Sequence, residues 1–236
     1  MNLTGGIHWH WRAWRAGPRW NSTRNDIENW LLSQPVEADQ LIVIGASAGW
    51  MMSETWLSRF KTVDTWDIDP LAAILFKWRH SHALSQQGVH LQCHTGDAIN
   101  LLPQLLSEHP KAIIFFDNVL GQIRFQTDTI MQAEKRLQAI TRALRGRTWG
   151  SLHDRMSGPV ERDWMNTPMP SAQMVLSGDP NEGAQTQQWL NHLGAKSPWL
   201  DHLTGSIFAP GTAITNIAWP MQKTYWHWLQ AGWVRP

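Results

Sequence analysis

The sequence predicts an α/β fold: a doubly wound, mostly parallel sheet with helices on both faces and a helical extension at the amino end. Three observations predict it. Short apolar runs alternate along the chain with segments whose apolar residues recur at helical spacing. The runs Leu41-Ile42-Val43-Ile44 and Ala112 to Phe116 carry no charge and no polar alternation, as expected of strands buried on both sides. Each strand is separated from the next by a stretch long enough for the helix that a parallel crossover requires.

In order, Thr23 or Asn25 can cap a helix carrying Ile27, Trp30 and Leu31, so residues 1–38 read as a helical extension able to fold over a ligand site. Leu41 to Ile44 is the first strand, and Trp50 to Phe60 has helical spacing at Met52, Trp56, Leu57 and Phe60. Thr62 to Trp66 is the second strand. Pro70 suits the first turn of a helix whose buried stripe is expected at Leu71, Ile74, Leu75 and Trp78. Val89 to Cys93, Ala112 to Phe116 and Thr148 to Leu152 are further strands, with helices at Leu101–Leu106 and Asp128–Leu144 between them. From about residue 155 prolines and glycines indicate a loop-rich stretch, with a helix at Glu182–Leu193 and an alternating sheet-edge strand at Thr212–Trp219. Residues 39–236 therefore read as one domain.

Composition narrows the function. In 236 residues, 20 Lys and Arg against 19 Asp and Glu give a net charge of +1, which argues against a nucleic-acid clamp. The single cysteine, Cys93, makes neither an internal disulfide nor a cysteine-rich zinc site. No apolar run reaches the ~18 residues that span a bilayer, and no secretory h-region is visible, so a cytoplasmic protein without a membrane partner is expected. His8-Trp9-His10 and His80-Ser81-His82 lack a third ligand at metal spacing, and no metal is expected. The 17 tryptophans predict thick packing layers or an aromatic-lined pocket. Arg12, Arg15, Arg19 and Arg24 interleave with Trp9, Trp11, Trp14 and Trp20 without an acid, a pattern that suits an aromatic cover over a small-molecule site better than a nucleic-acid grip.

Gly45-Ala46-Ser47-Ala48-Gly49 follows the first strand, where open α/β sheets bind ligands. It also spells the G-x-S-x-G elbow of serine hydrolases, with Ser47 as nucleophile, although no oxyanion loop precedes it. Asp67 ends the second strand about twenty residues on, placed to accept ribose hydroxyls. Thr95-Gly96-Asp97-Ala98 follows the third strand and Phe115-Phe116-Asp117-Asn118 the fourth.

This ordered series, across roughly residues 40–155, resembles the class I S-adenosylmethionine-dependent methyltransferases. The resemblance implies a Rossmann-like sheet of seven strands and S-adenosylmethionine as cofactor, held by Gly45, Ser47 and Gly49 at its methionine part, Asp67 at its ribose and Asp97 near its adenine amino group. It also implies that Asp117 or Asn118 faces the methyl group and the substrate. Ser47 stands where the family has its middle glycine, and the N-P-P-Y type motif is absent, which argues against methylation of DNA bases. His153-Asp154-Arg155 ends the fifth strand, so His153 is a candidate proton acceptor with Asp117 and Asn118 as catalytic companions; Asp201-His202 is a weaker one. The expected function is methyl transfer to a small aromatic or apolar acceptor. A non-catalytic module binding the same cofactor or a nucleotide is the rival, and the Ser47 hydrolase a second.

Overall fold

The computed structural model describes residues 6–161, 168–196 and 198–236. Two helices come first, α1 (Ile7–Arg15) and α2 (Gly17–Ser33). Then follow β1 (Gln40–Ile44), α3 (Glu54–Leu57), β2 (Thr62–Asp67), α4 (Pro70–Gln86), β3 (His90–Thr95), α5 (Leu102–Glu108) and β4 (Ile113–Asp117). A 3-10 turn (Leu120–Gln126) leads into α6 (Ile130–Ala143), β5 (Trp149–Pro159), β6 (Gln173–Leu176), α7 (Glu182–Leu193), β7 (Leu200–Asp201), β8 (Ala213–Trp219) and β9 (Tyr225–Val234).

The sheet runs β3-β2-β1-β4-β5-β9-β8-β6, with β7 paired to β5. Its first five strands are mutually parallel, and β9 enters antiparallel between β5 and β8. That order is doubly wound, and the chain changes direction between β1 and β4, where such sheets open a crevice at their carboxyl ends. Alternate side chains divide the core. Leu41, Val43, Ile113 and Phe115 pack under Trp30, Leu31, Trp56 and Phe76 on one face. Ile42, Ile44, Ile114 and Phe116 pack under Leu105, Leu137 and Ile140 on the other.

Six sequence expectations are corrected. The sheet has nine strands among the described residues, not seven, because β6 and β7 form inside the stretch read as loops. Thr212–Trp219 is not an edge: β8 lies between β9 and β6. The fifth strand does not stop at Leu152 but continues to Pro159, since β9 pairs along its length across a bulge at Asp154/Met156. The helix expected over Trp50–Phe60 shrinks to Glu54–Leu57: Gly49 turns left-handed and Ser53 caps a helix that starts later. Thr23 caps nothing, because α2 begins at Gly17 with Pro18 in its first turn; its hydroxyl donates to Ala218 O at 2.8 Å and ties α2 to β8.

The sixth correction concerns α4, where three of the four residues expected in the buried stripe point outward and only Leu75 packs, half-buried, against the core. Leu71, Ile74 and Trp78 are 37%, 63% and 77% exposed, whereas Ala72, Phe76, His80 and Leu84 are buried. Both stripes satisfy helical spacing. A polar residue completes the buried stripe: the His80 ring lies beside Phe76, and its Nδ1 is bonded to Glu54 Oε1 at 2.9 Å.

Candidate active site

A cavity of about 460 Å³ opens at the carboxyl ends of the parallel strands. Gly45 after β1, Asp67 after β2, Asp97 after β3, Asp117 and Asn118 after β4, and Asp154 on β5 all line it. The crevice is where the strand order places it.

The turn after β1 is built to approach its neighbours closely. Gly45 has φ +79°, and a Cβ there would lie 2.8 Å from Asp117 O and from the Val119 Cβ, so only glycine fits. Ser47 also turns left-handed, at φ 48°, an unfavourable conformation for a side-chain-bearing residue. Its N–H donates to Asp67 Oδ2 at 2.8 Å, while Asp67 Oδ1 accepts the N–H of Asp69 at the same distance. Asp69 in turn accepts from Gly6 N at 2.7 Å and from His10 Nε2 at 3.2 Å, and Trp50 Nε1 donates to His10 Nδ1. The start of α1 is thereby fixed beside the turn, and Trp9 and Arg12 line the cavity; Trp11 and Trp14 face outward.

Ser47 Oγ accepts from Trp9 Nε1 at 3.0 Å. Among the described residues no histidine or acid bonds to it, so the partners of a serine nucleophile are not assembled.

Five acidic side chains line the cavity, Asp67, Asp69, Asp97, Asp117 and Asp154, against one guanidinium, Arg12, and the imidazole of His227. Burial, reinforced by Asp67, pushes the Asp117 carboxyl up to about 8. Burial also raises Asp67, against the two backbone N–H groups that favour its ionised form. Asp154 goes the other way: burial opposes its charge, but His227 and His202, with the Asn118 side chain, hold it below the ordinary carboxylate range. The cavity is thus short of positive charge.

The structure brings together Gly45, Ser47, Asp67, Asp97, Asp117 and Asn118 along the cavity wall. Gly49 sits behind it, where a Cβ would meet His80 Nε2 at 2.4 Å. Asp97 Oδ1 accepts from Ile99 N and Asn100 N, so it also holds its own turn. Asn118, left-handed at φ 53°, reaches over with Oδ1 to the N–H of Asp154 at 3.0 Å. His153 is not brought to the cavity. Successive residues of a strand face opposite sides, and His153 points to the face covered by Phe208, with Nδ1 against Ser151 Oγ at 2.9 Å. Burial lowers its pKa to about 3, which keeps it neutral. His202 is likewise buried, held by Ser157 Oγ and Gly121 O.

In their place the strand alternation presents Asp154, and with it a residue that sequence reasoning missed. His227 Nδ1 lies 2.7 Å from Asp154 Oδ1, and both residues line the cavity. The signal was the alternation Tyr225, His227, Leu229 against Trp226 and Trp228, which marks a strand with its histidine on one face.

No family model and no curated protein matches the sequence. Solved structures do. Magnesium protoporphyrin IX methyltransferase from Synechocystis aligns at 14% identity with a TM-score of 0.48, covering 98% of this chain and 90% of that one. The N-methyltransferase NodS from Bradyrhizobium japonicum aligns at 12% identity and 0.47, covering 93% and 91%. A chain of the Haloferax volcanii complex with the Trm112 methyltransferase activator aligns at 13% identity and 0.38; 78% of this chain is covered, and it spans 65% of that one. The strand order, not these overlays, carries the fold assignment, and the activity is argued from the site.

Proposed function

We propose that the cavity binds S-adenosylmethionine and that the protein transfers its methyl group to a small apolar or aromatic acceptor. One observation carries the reading: Asp67 ends β2 and is bonded to the amide of Ser47 in the glycine turn, so both expected cofactor contacts form one rigid wall.

The residues present fit the group. About 460 Å³ lies within the ~300–1,000 Å³ range of ligand pockets. Ile68, Ala98, Ile99 and Val119 give apolar sides for a flat base beside Asp97. Asp67 keeps acceptor capacity beyond its two backbone bonds, since each carboxylate oxygen has two lone-pair directions. The excess of acidic side chains suits a ligand carrying a sulfonium and an ammonium, and among the described residues no group hydrogen-bonds to the Asp117 carboxyl to compensate its burial. When bound, the cofactor supplies an electrophilic methyl carbon. The chain's part is to bind it, to hold Asp117 and Asn118 at the strand end facing the acceptor, and to exclude water with Trp9, Trp50 and Trp219.

Calorimetric titration with S-adenosylmethionine, S-adenosylhomocysteine and ATP tests the reading. Binding of the first two and not the third is expected; binding of ATP alone would overturn it.

A further inference from the structure

His227 on β9 and Asp154 on β5 meet diagonally across the strand pair, since the register sets Asp154 opposite Leu229 and His227 opposite Ser157. Asp154 is fully buried; its N–H donates to Asn118 Oδ1, its carbonyl accepts from Thr204 Oγ1 at 2.8 Å, and its Oδ2 has no hydrogen-bond partner among the described residues. Oδ1 takes the His227 Nδ1 side at 2.7 Å. A carboxylate in that position fixes the proton on Nδ1 and leaves the Nε2 lone pair bare. Around the imidazole stand Trp219, edge-on at 5.1 Å, Tyr225 at 5.8 Å and His202 at 6.1 Å between ring centroids. His202 has both ring nitrogens engaged by Ser157 Oγ and Gly121 O, so it does not compete for the role. Among the described residues no protein group bonds to His227 Nε2, while Met221, Leu229, Trp219 and Trp9 supply apolar cavity wall.

We propose that His227, oriented by Asp154, is the catalytic base of the methyl transfer, and that the acceptor is a flat molecule bearing a phenolic hydroxyl. The inference rests on the proposed methyltransferase reading. A carboxylate acceptor needs no base and would meet five acids in the cavity. A neutral amine attacks through its own lone pair before its proton leaves. A hydroxyl is the acceptor whose attack a positioned base assists most, and a phenol, ionising near 10, lies closer to imidazole than an aliphatic alcohol does. In the step the hydroxyl oxygen forms the new O–C bond as the methyl–sulfur bond breaks and its electron pair stays on sulfur. The hydroxyl proton passes to Nε2, and the imidazolium returns it to water after product leaves.

The test uses the full chain labelled with 15N-histidine. In the ligand-free protein the His227 imidazole is expected as the Nδ1–H tautomer, shifting toward Nε2–H in Asp154→Asn; a proton on Nε2 in the unaltered protein would overturn the dyad. Binding of 4-nitrophenol, followed by its absorbance, reads the base directly. Its ionisation midpoint should fall on binding and return to the free value in His227→Gln, a variant that conserves volume. Equal midpoints in the two proteins would remove the base, and absence of binding would remove the phenol class. With S-adenosylmethionine present, His227→Gln should lose at least about 100-fold in kcat, the size of a general-base contribution, with cofactor affinity within twofold. If calorimetry shows no cofactor binding to the unaltered protein, the methyltransferase reading fails, and the tautomer still decides whether the dyad exists.

Discussion

Asp67 receives the backbone N–H of Ser47 at 2.8 Å, so the end of β2 and the turn after β1 move as one unit. Asp67→Ala removes both the ribose acceptor and this tie. Affinity for S-adenosylmethionine should fall by ~1.5–3 kcal/mol, the usual loss for a hydrogen bond to a charged group, or roughly 10- to 150-fold. Calorimetry measures it, with circular dichroism as the check on folding; unchanged affinity in a folded variant would remove the ribose assignment.

Asp117 gives a pH-dependent signature. Its carboxyl is raised to about 8, so between pH ~4 and ~8 the folded state holds a proton that the unfolded state has lost. The stability this proton contributes is present below the unfolded pKa and declines as pH rises through the folded one. The Tm of the unaltered protein should therefore fall relative to that of Asp117→Asn across this window. A cationic ligand entering the cavity favours the ionised form, so S-adenosylmethionine should release a proton near pH 7. Calorimetry in buffers of different ionisation enthalpy detects that proton, and Asp117→Asn should abolish it.

Helix α4 separates two readings of one sequence segment. Phe76→Ala empties a fully buried site and should cost ~3–5 kcal/mol, whereas Trp78→Ser, on the exposed side, should stay within ~0.5 kcal/mol. Chemical denaturation of the two variants decides which stripe faces the core.

That contrast shows what the sequence could carry. Alternation of apolar runs with helical segments, and an acid or glycine after each strand, made the parallel half and the cavity-lining Gly45, Asp67, Asp97 and Asp117 legible, because strand ends and turns impose local chemistry. The α4 stripe was not legible: Leu71, Ile74 and Trp78 match the helical period as well as Phe76, His80 and Leu84 do, and burying His80 depends on Glu54, a partner distant in sequence. The site's second half was hidden for a similar reason. Which of His153 and Asp154 faces the cavity is decided by strand register with β9, and β9 lies in a stretch dominated by tryptophan whose pairing is long-range.

Trp9 provides the last prediction, because its indole connects the amino-terminal helix to the turn. Nε1 donates to Ser47 Oγ at 3.0 Å, and the ring packs edge-on against Trp219 at 6.2 Å. Trp9→Phe keeps much of the apolar contact but deletes the donor, so it should cost ~0.5–1.5 kcal/mol, as expected for one hydrogen bond. Since the indole lines the cavity, cofactor binding should perturb tryptophan fluorescence less in Trp9→Phe than in the unaltered protein. Freed of the indole, Ser47 still has no histidine bonded to its hydroxyl among the described residues, and a serine at its free pKa is a weak nucleophile. A fluorophosphonate probe should therefore label neither protein at Ser47. Stoichiometric labelling lost in Ser47→Ala would instead assign the turn to a hydrolase and set the methyltransferase reading aside.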